Sequence, residues 1–266
     1  MRSTILMLII ALASMNGNSI CQAAFLRAGA SGSAAANPPA TQQFAKRTDI
    51  VLADGTSMQY SSASLPNGLK WQASGFLQHG GCSSGKQFIT DCYEMRLVAD
   101  PAQQLDPGSA SPRQRIEFLT AHQADGSKWH YVWRSYVPNY VTGSTTFFHL
   151  MQIFSTATGG SIFFLDIIKN MVYIKDVVAG VYAASAPLSS FENRPLQHTM
   201  NITYGPSGNI WYSVTDSQTN APIISFSKTG GIGSGGTYLK FGAYRATYQG
   251  ESSVKAWYGD FVQTQL

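Results

Sequence analysis

Three short stretches carry polar side chains in apolar company, and their spacing decides which can act together. In 238–245, Tyr-Leu-Lys-Phe-Gly-Ala-Tyr-Arg, period-two alternation puts Tyr238, Lys240, Gly242 and Tyr244 on one face and Leu239, Phe241 and Ala243 on the other. The second face reads as core. The first is a polar aromatic surface with a gap at Gly242, built from residue types that move protons and hold anions. In 113–118, Arg115 and Glu117 fall together opposite Ile116 and Phe118. In 147–154 a strand that reads as buried holds one His and one Gln, His149 and Gln152. Three residues apart on a straight strand, these two point to opposite faces, so both reach one cleft only where a bulge intervenes. His130 and Arg134 alternate on one face of the stretch that starts at Trp129 and are further cleft candidates, whereas His79, His122 and His198 show no partner pattern. Each residue also has a plain structural reading: a half-buried tyrosine at 244, a solvated lysine at 240, a surface ion pair of Arg115 with Glu117, a core histidine at 149.

The elements that must position these residues are strands. Alternation bounded by turn residues recurs over 93–98, 113–121, 129–137, 147–155, 161–168, 171–177, 197–204, 209–215, 223–228, 238–247 and 254–263. Between them lie hairpin and loop signals such as Ala124-Asp125-Gly126, Gly159-Gly160, Lys169-Asn170 and the glycine-rich run 230–236. No window shows a helical stripe. The expected fold is all-β, an antiparallel β-sandwich of jelly-roll, concanavalin-like type. Residues 48–92 are less periodic and are expected to wrap the sandwich.

Charge and composition narrow the class. Only 12% of the 266 residues are charged, about half the ~25% usual for soluble domains, which argues against a coiled coil or a charged disordered chain. The formal charge of +4 resides in Arg2, Arg27, Lys46 and Arg47; from Thr48 onward 14 basic residues face 14 acidic ones. Net charge therefore gives no argument for nucleic acid or for a membrane surface. Residues 1–23, with an apolar run over 5–13 and small residues before a cut, read as a signal peptide. Residues 24–47 read as an Ala/Gly/Ser/Pro-rich linker or pro-segment ending in the dibasic Lys46-Arg47, and 48–266 as the folded domain. Removal of Cys21 with the signal leaves Cys82 and Cys92, an even pair on an oxidising route, whose bridge would contribute roughly 2–3 kcal/mol through loop entropy. Asn201-Ile202-Thr203 is a glycosylation acceptor by pattern. A secreted, extracellular monomer is expected.

The order Arg-x-Glu, then Gln in an apolar strand, then Tyr-x-Lys-x-Gly-x-Tyr resembles the cleft signature of jelly-roll polysaccharide lyases. Alginate lyases of polysaccharide lyase family 7 carry it as Arg-Ser/Thr-Glu-Leu-Arg, Gln-Ile/Val-His and Tyr-Phe-Lys-Ala-Gly-x-Tyr. Here Arg115-Ile116-Glu117-Phe118-Leu119 lacks the second Arg, and the residue two past Gln152 is Phe154 rather than His. The His-x-x-Gln arrangement of His149 and Gln152 is more similar to the fungal glucuronan lyases of polysaccharide lyase family 20. The resemblance spans roughly 93–262.

It implies cleavage of a polyuronate, glucuronan or alginate, by β-elimination: the C5 proton leaves, the C4 oxygen is expelled, and no water is consumed. Gln152 and Arg115 would hold the uronate carboxylate, which acidifies the C5 proton. Tyr244 would protonate the leaving oxygen and, as tyrosinate, also serve as base, its ionised form favoured by Lys240; His149 is the alternative base. Tyr238, Glu117, His130 and Arg134 would complete the surface for the sugar. The sequence requires no cofactor. The resemblance allows a structural calcium ion, yet no dense Asp/Asn/Glu loop commits the chain to one. The expected partner is an acidic polysaccharide, with no nucleic acid and no membrane. The competing class is a non-catalytic, lectin-like sandwich that stacks sugars on Trp129, Trp133, Trp211 or Trp257. Glycoside hydrolysis is disfavoured, because it needs paired carboxylates and Asp166 stands alone in its strand.

Overall fold

Alternating apolar positions become strands wherever a second layer buries one face. In the computed structural model, which describes residues 49–82, 85, 87–138, 141 and 143–266, they form β1 (Ile50–Asp54), β2 (Gln59–Tyr60), β3 (Lys70–Ala73), β4 (Phe76–His79), β5 (Cys92–Leu97), β6 (Arg113–Leu119), β7 (Lys128–Tyr136) and β8 (Phe148–Ser155). There follow β9 (Gly160–Ile168), β10 (Met171–Asp176), β11 (Val181–Pro187), β12 (Pro195–Thr203), β13 (Asn209–Asp216), β14 (Pro222–Thr229), β15 (Thr237–Ala246) and β16 (Val254–Gln265). The signal peptide, the linker and the Lys46-Arg47 site lie outside the described residues.

The strands build two sheets with antiparallel neighbours. One runs β1-β4-β5-β16-β7-β12-β13-β14, the other β11-β10-β9-β8-β15-β6-β3-β2. Their inner faces share one core. Leu239, Phe241 and Ala243 of β15 and Ile116 and Phe118 of β6 are buried there, as the alternation requires. Phe241 stacks on Trp133 of the facing sheet at 5.1 Å and on Phe261 at 5.5 Å. Burying a side chain of this size is worth about 1.5–3 kcal/mol.

All eleven expected strands are present, with ends moved by a few residues. Residues 48–92 do more than wrap: β1 and β4 extend one sheet, β2 and β3 the other, and Trp71 of β3 lies opposite Phe118 of β6. These strands are short and separated by glycines, so their period of two is too brief to read. Strand β11 was not expected. It is an exposed edge of Ala, Ser and Val with no continuous apolar face to signal it. Cys82 and Cys92 are joined in a disulfide with their Cα atoms 6.2 Å apart, within the range such bridges take.

Candidate active site

The site lies on the outer face of the second sheet, where the register aligns polar residues from four strands. Direct cross-strand partners run Arg115, Tyr244, His149, Asp166 across β6, β15, β8 and β9. A neighbouring row runs Lys240, Gln152, Phe164 across β15, β8 and β9. His149 and Gln152 share this face because β8 bulges: His149 pairs with Asp166 and Met151 with Leu165, so Leu150 is an extra residue against β9. The bulge turns a spacing of three into an effective spacing of two. On β15, Gly242 (φ +146°) sits so close to β6 that a Cβ there would meet the Ile116 carbonyl oxygen at 2.3 Å. Only glycine fits the gap between Lys240 and Tyr244.

The rows enclose a cavity of about 350 Å³ lined by Arg113, Arg115, His149, Gln152, Ser161, Lys240 and Tyr244, with Phe147, Phe154 and Phe164 as apolar walls. The Tyr244 hydroxyl accepts a hydrogen bond from Arg113 Nη1 at 2.6 Å, and the Arg115 guanidinium lies 4.0 Å from the Tyr244 ring centre. That bond uses a lone pair of the phenol oxygen and leaves its O–H available as a donor. The His149 ring is stacked on Phe164 (4.0 Å, 3°) and on Phe147 (4.5 Å, 19°). Its Nδ1 lies 3.2 Å from Asp166 Oδ1, which also accepts the Phe148 N–H at 2.6 Å. With the Nδ1–H donating to the Asp166 carboxylate, Nε2 is the ring nitrogen left to accept. His149 and Tyr244 ring centres are 5.6 Å apart.

Glu117 lies beneath the cavity instead of lining it. It is buried, pairs with Lys240 Nζ at 2.8 Å and Arg115 Nε at 3.5 Å, and accepts hydrogen bonds from Gln72 Nε2 at 2.9 Å and from the Gln152 amide. Burial opposes its ionisation, but Lys240 and Arg115 outweigh burial and hold its carboxyl below the usual range. Burial sets Lys240 below the usual lysine range, although Glu117 opposes that shift. Arg115 is also tied to Asp106 Oδ2 at 2.7 Å. The Gln152 carbonyl oxygen accepts from Ser161 Oγ at 2.7 Å, so both ends of this amide are oriented.

Other expected residues fall elsewhere. Tyr238 lines the adjoining hollow with Lys70 and His122, stacked on the His122 ring at 4.4 Å. His130 and Arg134 are not in the cleft: β7 belongs to the opposite sheet, where His130 Nδ1 bonds Asn201 Oδ1 at 2.6 Å and Arg134 reaches Asp260 and the Phe88 carbonyl. Asn201 is exposed on that sheet. Alternation alone cannot say which sheet a strand joins. Trp133 and Trp257 are buried and offer no sugar platform, while Trp211 is 43% exposed on β13, in the sheet without the cavity. Sequence reasoning missed Arg113 and Asp166 as site residues; the available signals were Arg113's shared parity with Arg115 and a lone acid in an apolar strand. Among the described residues no three His, Cys, Asp or Glu side chains group to hold a metal ion. No helix among them is long and apolar enough to cross a membrane.

No family model matches the chain, and no curated protein matches it. Solved structures do. The endo-β-1,4-glucuronan lyase of the fungus Trichoderma reesei superposes with a TM-score of 0.50 at 11% identity, covering 78% of this chain and 95% of that one. The chain has the jelly-roll fold of such polysaccharide lyases. A variant of alginate lyase A1-II′ superposes equally well, with a TM-score of 0.50 at 10% identity, covering 68% of this chain and 84% of that one. At these identities the likeness speaks for the jelly-roll lyase fold, and the chemistry must come from the cavity itself.

Proposed function

We propose that the protein is a secreted lyase that cleaves a polyuronate by β-elimination, glucuronan first and alginate second. One observation carries this reading: an oriented histidine and a tyrosine hydroxyl meet in a cavity whose lining has three cations, Arg113, Arg115 and Lys240, and no carboxylate. Such a lining suits a polyanion. It gives a retaining or inverting glycosidase neither of its two carboxyl groups.

In the proposed reaction Arg115 and the Gln152 amide hold the uronate carboxylate and stabilise charge developing on it. His149 Nε2 takes the C5 proton, with the imidazolium stabilised by Asp166. The C5–H electron pair becomes the C4–C5 double bond as the C4–O bond breaks, and Tyr244 gives its proton to the departing oxygen. Transfer of the proton from His149 back to Tyr244 through solvent restores the enzyme. The Cys82–Cys92 bridge supports a route through an oxidising compartment.

Incubation with a panel of uronans tests the proposal. Ultraviolet absorbance from unsaturated ends should rise in step with new reducing ends. New reducing ends without absorbance would mean hydrolysis, and retention on immobilised uronan with neither signal would mean a lectin.

A further inference from the structure

The two transverse rows continue past the cavity. Phe164 lies directly opposite Lys175 on β10, and Lys175 opposite Tyr182 on β11. The row through His149 and Asp166 likewise reaches Tyr173. These three residues form a unit at the sheet edge. The Tyr173 and Tyr182 rings are 4.7 Å apart, tilted by 43°, and Lys175 Nζ lies 5.5 Å from the Tyr182 ring centre. Tyr182 is 54% exposed.

The lysines of the fold differ in one respect that matters. Lys240 is tied to Glu117 and Lys228 to Asp176, both within 2.8 Å. Among the described residues Lys175, like Lys70, Lys128 and Lys169, has no carboxylate within ion-pair distance, and of these four it is the one whose ammonium lies over an aromatic ring. The sheet edge therefore presents an uncompensated ammonium beside two aromatic faces, on the surface that holds the cavity.

We infer that Lys175, Tyr173 and Tyr182 form a distal subsite for one uronosyl residue of an acidic polysaccharide whose reacting sugar occupies the His149–Tyr244 cavity; the inference rests on the lyase reading. The ammonium pairs with a uronate carboxylate, and a tyrosine face packs on the C–H face of a pyranose, where an aromatic with a polar tip is at home. Geometry sets the spacing. Lys240 and Lys175 are three strands apart, about 14 Å at ~4.8 Å per strand, and one strand spacing is close to the length of one sugar in an extended 1,4-linked chain. A polymer lying across the strands, with its reacting sugar in the cavity beside Lys240, thus brings the carboxylate of a sugar three residues along to Lys175. A short oligosaccharide in the cavity does not reach the edge.

Two exposed-edge variants, Tyr182→Ala and Lys175→Met, test this with two readouts. In turnover, each should raise KM for polymeric uronan roughly 5- to 20-fold with kcat within two-fold, and leave kcat/KM for a uronate trisaccharide unchanged. In a gel cast with the same polymer, which needs no turnover, each should lose retardation relative to wild type, while thermal melting confirms that it folds. Unchanged polymer KM and unchanged retardation would overturn the subsite and leave the lyase reading standing. An equal loss on trisaccharide and polymer would also overturn it, since the residues would then be acting through the cavity. Retardation that depends on Lys175 and Tyr182 in a wild type yielding no unsaturated ends would support the subsite and sink the lyase reading. A wild type that neither cleaves nor is retarded by any uronan would overturn both.

Discussion

Tyr244 and His149 divide the proton transfers by their partners. The phenolic oxygen accepts from Arg113 through a lone pair, which leaves its O–H for the departing oxygen, whereas the Nδ1–H of His149 donates a hydrogen bond to Asp166 and leaves Nε2 to receive. Tyr244→Phe removes one hydroxyl and leaves the ring packed against Arg115 and Phe147. Turnover should fall about 10²- to 10⁴-fold, the usual contribution of a positioned acid, with oligosaccharide affinity nearly unchanged by calorimetry. Asp166→Asn is the sharper test of the base. Asparagine keeps the shape and can still accept the Phe148 N–H, but it no longer supplies the negative charge that stabilises the imidazolium. We expect kcat to drop roughly 10²- to 10⁴-fold with KM little changed. A wild-type rate in this variant would place the base elsewhere, on Tyr244 itself.

At the scale of elements, the site depends on two local departures from regular pleating. One is the Leu150 bulge; the other is Gly242, whose carbonyl accepts from Tyr258 Oη at 2.7 Å while its Cα presses on β6. Gly242→Ala forces a methyl group into the Ile116 carbonyl at a φ that side chains rarely adopt. It should cost about 2 kcal/mol or more, read by denaturant unfolding, and lower turnover at temperatures where the variant is still folded, because β15 must shift between Lys240 and Tyr244. The same two features mark how far the sequence could be read. Faces of β15 and β6 were legible because regular alternation fixes them, and Gly242 stood out as a gap. The position of His149 was not, because alternation puts it opposite Gln152 and a bulge has no composition signal in Phe-His-Leu-Met-Gln. The misplacement of His130 and Arg134 has a different cause: strand parity is local, whereas membership of one sheet or the other is decided by pairings between residues far apart, such as His130 with Asn201.

The whole molecule separates its tasks between sheets, one presenting the cavity and the other supplying much of the aromatic core behind it. That core contains a titratable group. His198 of β12 is 1% exposed, stacked on Trp133 at 4.7 Å, with Nε2 2.8 Å from Ser135 Oγ and Nδ1 2.8 Å from Tyr212 Oη. Burial pulls its pKa down to about 3, against about 6.5 in an unfolded chain. Between those values the unfolded state binds the extra proton, so stability rises with pH: it is full above about 6.5 and is lost as pH falls toward 3, by up to ~1.4 kcal/mol per unit. From pH 6.5 to 5, above the range where unfolded carboxylates titrate, His198 alone should remove roughly 2 kcal/mol. Urea unfolding across that window measures it. His198→Gln, which keeps a polar partner for Ser135 or Tyr212 without a titrating ring, should be less stable at pH 7 yet lose about 2 kcal/mol less than wild type on going from pH 6.5 to 5. If wild type and variant show the same slope, the folded core takes up the proton, and the packing of Trp133 against Phe241 behind the cavity must loosen to admit it.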